Sequence, residues 1–207
     1  MGLLAPVGAI LLAAAVPPSV EGVYEAHQME LGAALELGKD GHFRYQLDYG
    51  AVSEHAEGEW TFDGRAVRLT TSPKPIAPVF ELVSDEPAPT GDLFITAEFP
   101  GLGWNGRLDA IATDRQSGER RLVTTDSDGR VDSGGRSIGA IEPLVPIYGT
   151  VGGHFDLSAG RGHRLHLRFH ANDLGTADFG GEPLSLDGGG LLLDRYDMAI
   201  RFIRVGP

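Results

Sequence analysis

The sequence predicts an all-β protein in which an antiparallel N-terminal meander packs with a β-sandwich or barrel-like second half. Two Asp-Gly dipeptides, at 40–41 and 63–64, each lie between stretches of alternating apolar and polar residues. This arrangement is the strongest short-range signal for a β-hairpin. The chain of 207 residues also contains 30 glycines and 13 prolines, a frequency typical of short strands and turns rather than long helices.

The clearest strand of the meander covers residues 43–49. Its apolar and aromatic residues alternate with charged and amide side chains, so one face is expected on a core and the other in water. Residues 53–57 form at most one helical turn. Similar alternation predicts further strands at 21–28, 34–37, 57–62 and 67–71. The aromatic residues of the meander either fill a solid core or line a pocket inside a barrel; they are Tyr45, Tyr49, Trp60 and Phe62.

The predicted organisation has four parts, at 1–15, 16–72, 73–78 and 79–207. Segment 73–78 contains three prolines and is predicted to be an extended linker between the meander and a β-sandwich-like unit. A disulfide-free meander of this size would be marginal alone. We therefore expect it to pack against the second half, or to form one continuous domain with it.

The second half is predicted to contain strands throughout. Pro143 and Pro146 make residues 138–149 an edge strand or an ordered loop. The last strand, 198–205, carries apolar residues on both faces, which predicts a central strand covered on both sides. The remaining candidate strands are 79–83, 93–99, 107–113, 120–125, 154–157, 164–170, 184–186 and 191–193.

Short motifs within residues 33–71 resemble the N-terminal meander of lipocalin-like bacterial envelope β-proteins. They are Leu35-x-Leu37, Asp40-Gly41-x-Phe43, Gly58-x-Trp60 and Asp63-Gly64 leading to Leu69. The resemblance implies a shared scaffold of antiparallel strands. In the second half, residues 125–130 look like a turn of transthyretin-like sandwich domains. Because a fold hosts many functions, neither resemblance implies an activity.

The N-terminus carries an apolar run at 3–16 that ends in three alanines. This run is too short to span a membrane comfortably and is typical of a secretory signal peptide, here cleaved after Ala15. A buried first strand or helix is the alternative interpretation. The chain has no cysteine, which excludes disulfides and a lipid attached to a cysteine. We therefore expect a soluble bacterial protein of the periplasm or the external medium.

The formal net charge of -12 indicates an acidic surface that favours solubility. It argues against a nucleic-acid partner, which requires a basic face, and against docking on anionic lipid. We predict no membrane span, and the oligomeric state stays open.

A histidine-rich segment at 163–170 suggests a metal site, but its alternation argues for a polar strand face. The core-facing residues are expected to be Leu165, Leu167 and Phe169, and those facing outwards His166, Arg168 and His170. Four strand residues place the outer histidines about 13 Å apart, too far for both to bind one zinc ion. We therefore predict no metal site and a polar or ligand-facing strand surface.

The loop that follows holds the densest set of chemically useful side chains, including Asn172, Asp173 and Asp178. Binding residues are common in loops that follow well-packed strands, although loops are rich in these residue types anyway. A carboxylate beside His170 could serve as a general acid or base. Trp104, in a glycine-rich segment, either folds back on the core or offers an aromatic platform to a ligand.

The other motifs give little information about function. Residues 126–129 read Asp-x-Asp-Gly, but the first ligand and the bidentate glutamate of an EF-hand loop are missing, so an Asx turn is expected. No nucleophile motif and no cofactor motif is found. The leading hypothesis is an exported, non-enzymatic β-protein that binds a small molecule or an envelope component. The alternatives are a hydrolase that uses the 170–178 loop and a structural or assembly protein of the envelope.

Overall fold

A computed structural model describes residues 19–104 and 106–206, and confirms that the protein is all-β. The described residues form fifteen strands and no helix. The strands are β1 (Gly22–Gln28), β2 (Leu31–Leu37), β3 (His42–Tyr49), β4 (Val52–Phe62), β5 (Ala66–Thr71), β6 (Val79–Ala88), β7 (Leu93–Glu98), β8 (Asp109–Asp114), β9 (Arg120–Thr124), β10 (Ile138–Pro143), β11 (Phe155–Asp156), β12 (Gly162–His170), β13 (Gly180–Asp187), β14 (Gly190–Arg195) and β15 (Met198–Val205).

Eight of these strands close into an antiparallel barrel. Their order around the barrel is β1-β15-β14-β13-β5-β4-β3-β2, so each strand pairs with its neighbour in sequence except where the chain leaves after β5 and returns at β13. The barrel closes between the first and last strands, where Val23 pairs with Val205. Closure leaves no free sheet edge in this part of the molecule.

Both predicted Asp-Gly hairpins are present in the barrel. Gly41 and Gly64 have φ angles of 82° and 88°, in the left-handed region that the turn requires. The Asp63 carboxylate accepts hydrogen bonds from the backbone N–H groups of Arg65 and Ala66, both at 2.9 Å. The turn at Asp63 is therefore closed by the side chain that the sequence places there.

The barrel interior is filled by buried side chains. Phe179, from the loop before β13, packs edge-on against Tyr45 and Phe43, with ring centroids 5.0 and 5.9 Å away. Tyr45 belongs to this core, and the other meander aromatics, Tyr49, Trp60 and Phe62, pack partly buried against it. Of the two readings of the meander aromatics, the solid core is the one that fits.

The chain between β5 and β13 forms a β-sandwich. One sheet has the order β11-β10-β8-β9 and the other β6-β12-β7. Side chains from both sheets, including Ala110 and Ile141 from one and Ile95 and Leu167 from the other, share one hydrophobic cluster. The pairing of β12 with β7 is parallel, an exception in a molecule whose other strand pairs are antiparallel.

The topology divides the chain differently from the expected boundary at 73–78. Segment 73–78 does join the meander to the sandwich without forming a strand. However, β13, β14 and β15 return to the barrel, and Gly180 pairs with Thr70 of β5. The sandwich is thus inserted between two neighbouring barrel strands.

Residues 53–57, for which at most one helical turn was expected, form none: they are extended within β4, because they pair with β3. Two predictions about single elements are wrong. β10 is an interior strand of its sheet, not an edge, and Pro143 is tolerated because it is the last residue of that strand. β15 is covered on one face: Ile200 and Phe202 are buried, while Ile203 is 64% exposed on the outer wall of the barrel.

The predicted signal peptide, residues 1–15, lies outside the described residues. Among the residues that the structure describes, no helix is long and apolar enough to cross a membrane.

Candidate functional site

The structure places His166, Arg168 and His170 on the exposed face of β12, as the alternation predicts. His166 Nε2 and Arg168 Nε lie 3.0 and 3.1 Å from the two carboxylate oxygens of Glu98 on β7. His170 Nε2 lies 2.7 Å from Glu81 on β6. These three side chains are thus paired across strands with carboxylates, and they form a polar sheet surface rather than a concave site.

Asn172 and Asp173 hold the proline-rich segment in place. The Asn172 side-chain amide donates a hydrogen bond to the Ala77 carbonyl at 2.8 Å, and the Ile76 backbone N–H donates to the Asp173 carboxylate at 2.8 Å. We call these two contacts the linker clasp. They give both residues a structural role, and they fix the position of segment 73–78 over the barrel wall.

The other two predicted site residues, Asp178 and Trp104, do not contact Asn172 or Asp173. Asp178 lies 4.0 Å from the Lys74 ammonium and its side chain is half exposed. Trp104 is 37% exposed and packs against Phe99, with ring centroids 6.3 Å apart. Each of these residues has its own partners, so the structure does not assemble the acid–base pair that a hydrolase would need in the 170–178 loop.

Metal ligation has no geometric basis in the described residues, where no group of three or more His, Cys, Asp or Glu side chains is suitably arranged. In the 126–129 turn, the Asp126 carboxylate accepts hydrogen bonds from the N–H groups of Asp128 and Arg130, at 2.9 and 2.8 Å. These bonds make it an Asx turn, as predicted.

A groove on the outer wall of the barrel brings polar and apolar side chains together beside the linker clasp. It has a volume of about 520 Å³ and runs between the wall strands β1–β4 on one side and the clasped segment on the other. One row of its floor is formed by Ala34, Gln46 and His55, which are cross-strand neighbours on β2, β3 and β4. Pro73 and Pro75 line it from the clasped segment, and we call it the wall groove.

The loop 173–176 forms one side of the wall groove because it pairs with β4. The His55 N–H donates to the Gly175 carbonyl and the Ala177 N–H donates to the His55 carbonyl, both at 2.9 Å. Gly175 has a φ of 87°, and a side chain there would lie 3.2 Å from the Ser53 carbonyl oxygen. Glycine is thus required both by the backbone conformation and by the close approach.

The second row of the groove floor is charged. Glu36, Arg44 and Glu57 are cross-strand neighbours beside the first row. The Arg44 guanidinium lies 3.4 Å from the Glu36 carboxylate, and both side chains are at least half exposed. With Asp173 on the opposite side, the lining carries three carboxylates and one guanidinium, so an anionic ligand would be disfavoured.

The apolar part of the floor extends beyond the groove. Val23 lines the groove and pairs with Val205 on β15, and Ile203 lies next to them on the same outer face. These three side chains are 43%, 37% and 64% exposed. An exposed apolar patch on β1 and β15 therefore adjoins the groove at Val23, whose neighbour on β2 is Glu36.

A polar cluster inside the barrel was missed by the sequence analysis. Glu54 on β4 and Arg195 on β14 form a two-point ion pair near one end of the barrel, and their side chains are only 10% and 17% exposed. Arg195 also stands over the rings of Phe179 and Tyr196, 5.2 and 5.1 Å from their centroids. The signal was present in the alternation, because Glu54 lies on the same face of β4 as Trp60.

Burial perturbs two tyrosines of this cluster. It raises the pKa of Tyr45 well above the ordinary value of 10.0, an effect that nearby Arg195 only partly offsets. Burial, together with the neighbouring Glu54 carboxylate, raises the pKa of Tyr196 to about 12. The Tyr45 hydroxyl has no hydrogen-bond partner among the described residues. The surroundings of these two tyrosines therefore favour the neutral form of both phenols.

Comparisons with known proteins found no match: no protein-family model, no curated protein and no solved structure is significantly similar to this chain.

Proposed function

We propose that the protein is a non-enzymatic binding protein that holds a small amphipathic molecule in the wall groove. The observation that carries the proposal is the floor of that groove, where apolar Ala34 lies in one row with Gln46 and His55, and Val23 adds apolar surface at the end of the charged row. Ligand sites are typically concave and apolar with a few polar groups that fix orientation. The proline-rich segment, which the linker clasp holds in place, forms the second side of the groove.

The ligand class follows from the chemistry of the lining. An apolar portion would lie against Val23 and could extend along Val205 and Ile203. A hydrogen-bonding head group would meet Gln46 and His55. The excess of carboxylates around the groove favours a neutral or cationic head group over an anionic one.

The experiment titrates the purified protein with two fluorescent amphiphiles, neutral N-phenyl-naphthylamine and anionic anilinonaphthalene sulfonate. We expect saturable binding of the neutral probe and weaker binding of the anionic one. Ala34→Trp should fill the groove and weaken the neutral probe by about tenfold or more. Ala199→Trp is the matched control, since Ala199 is exposed on β15 and does not line the groove.

The proposal fails if Ala34→Trp and Ala199→Trp bind the neutral probe equally well while both retain the circular dichroism spectrum of the unmodified protein. Preference for the anionic probe would contradict the inferred head group.

We place this activity outside the cytoplasm, on the strength of the apolar N-terminal run that ends at Ala15. Mass spectrometry of the protein recovered from the producing bacterium should give a chain that begins at residue 16. Recovery of the full-length chain inside the cell would contradict this placement.

A further inference from the structure

A second concave site lies in the inserted sandwich and shares no lining residue with the wall groove. It is a cavity of about 210 Å³ where the loops around residues 90–93, 135–138 and 157–161 meet. Three of its lining residues are arginines, namely Arg115, Arg136 and Arg161. Such a concentration of guanidinium groups is unexpected in a chain whose formal net charge is -12.

Arg115 is anchored without a carboxylate. Its Nη2 donates to the carbonyl oxygens of Ile138, at 3.2 Å, and of Leu157. Its backbone N–H donates to the Ser137 carbonyl at 2.7 Å. Within the described residues no carboxylate lies within 4.0 Å of its guanidinium, so backbone contacts fix its direction while its charge is not neutralised.

The other two arginines are each paired with a carboxylate. The Arg136 Nη1 lies 2.9 Å from Glu119, and Arg161 forms a two-point pair with Asp85. Asp85 also bonds the Nδ1 of buried His163 at 2.9 Å, and His163 Nε2 lies 2.9 Å from the Ser158 carbonyl. Both ring nitrogens of this histidine are therefore engaged, and Arg161 Nε also donates to the Ser158 hydroxyl at 3.3 Å. Of the three arginines, Arg115 is the one without a carboxylate partner among the described residues.

One acidic residue also lines the cavity. Asp92 has a carboxylate oxygen 2.8 Å from Arg130, which offsets its charge. Hydroxyl groups complete the lining, from Thr90, Ser137 and Ser158. Guanidinium groups with neighbouring hydroxyls are the donors that proteins use to bind phosphate and carboxylate groups, and guanidinium can bind either at two points.

We propose that this cavity binds a small oxyanion, either a phosphate or a carboxylate group, with Arg115 as its principal partner. The cavity volume admits a single such group with little attached to it. The site is independent of the proposed ligand of the wall groove, and either can fail without the other.

The test measures the unfolding temperature and calorimetric binding of the full protein with sodium phosphate, sodium acetate or sodium chloride at equal ionic strength. We expect phosphate or acetate to stabilise the protein saturably and more than chloride does. The anion that stabilises more shows whether the cavity prefers a phosphate or a carboxylate group. Arg115→Gln should weaken that anion by about tenfold, the loss of one charge-assisted contact. Arg65→Gln, at the exposed β4–β5 turn, is the matched control and should bind normally.

Absence of saturable binding by the unmodified protein, or equal weakening by Arg115→Gln and Arg65→Gln, would overturn the proposal. Arg115→Gln also removes bonds to two carbonyls and could unfold the sandwich. In that event Arg136→Gln decides, since its side chain is exposed and its loss breaks only a surface ion pair. An unchanged affinity in Arg136→Gln would then reject the site.

Discussion

Glu54 and Arg195 are bound to each other inside the barrel, across a sequence separation of 141 residues. Arg195 Nε donates to Glu54 Oε2 and Nη2 donates to Oε1, both at 3.1 Å. The pair ties β4, from the N-terminal meander, to β14, from the C-terminal strands. It is a specific link between the two sequence segments that build the barrel.

Breaking this pair from one side should be costly. We expect Glu54→Ala to lower the free energy of unfolding by about 3 kcal/mol, because it removes the two-point partner of the buried Arg195 charge and leaves it with the more distant Glu182 carboxylate, at 3.6 Å. The double change Glu54→Leu with Arg195→Met should cost less than Glu54→Ala alone. Urea denaturation measures all three proteins. Glu36→Ala, which breaks an exposed pair, is the control and should cost about 0.5 kcal/mol or less.

Tyr45 and Tyr196 should lose their phenolic protons only at high pH. The pKa of Tyr196 is about 12 and that of Tyr45 is raised further, both mainly by burial. Because the folded protein holds these protons more tightly than the unfolded chain, their stabilisation is complete below pH 10 and is lost as the pH rises towards 12. Ultraviolet absorbance of phenolate should therefore show at least two of the five tyrosines still protonated at pH 11. Ionisation of all five at that pH in the folded protein would contradict the burial of Tyr45 and the raised pKa of Tyr196.

The linker clasp should control the mobility of segment 73–78. Asp173→Ala removes the acceptor of the Ile76 N–H and should lower the free energy of unfolding by about 1 kcal/mol. Hydrogen exchange at Ile76 should become faster. Asp178→Ala is a control from the same loop, since Asp178 makes only a distant contact with Lys74. Equal exchange rates at Ile76 in both variants would show that the clasp does not hold the segment.

Gly58 should tolerate no side chain. A Cβ atom there would lie 2.1 Å from the Thr70 carbonyl oxygen and 2.7 Å from the Ser72 nitrogen, both backbone atoms. Gly58→Ala is therefore expected to lower the free energy of unfolding by about 3 kcal/mol or more. Gly32→Ala, in β2, meets no atom within 4 Å and should be neutral or stabilising by about 0.5 kcal/mol. Thermal and urea denaturation of the two variants check this difference.

The strands and turns of the meander could be predicted because residues close together in the sequence specify them. The alternation in β3 and the two Asp-Gly turns specify neighbouring hairpins, and each of these is present. The barrel as a whole was not predictable in this way. Its closure depends on β13 pairing with β5 across the whole inserted sandwich, and no local pattern identifies a partner at that distance.

The candidate site was predictable only in part. Asp173 does line the wall groove, but as a residue of the linker clasp rather than as an acid or base. Gln46 and His55 resemble any solvent-facing residue of an alternating strand, because their importance comes from the segment that folds over them. Alternation places Arg195 on the same face of β14 as Leu191 and Leu193, but only barrel closure brings it to Glu54.

The position of the insertion has a consequence for how this protein can diversify. Thr70 and Gly180 are paired residues of adjacent strands, so the chain leaves and re-joins the barrel at nearly the same point. A domain attached through two adjacent strand ends can be lengthened, exchanged or lost while the wall beside it keeps its register. The loop around Phe179 must travel with the barrel, because that ring fills the barrel core. Segments 73–75 and 173–176, which form one side of the wall groove, must stay with the barrel as well. Selection can therefore vary the sandwich beyond these segments while the groove is kept.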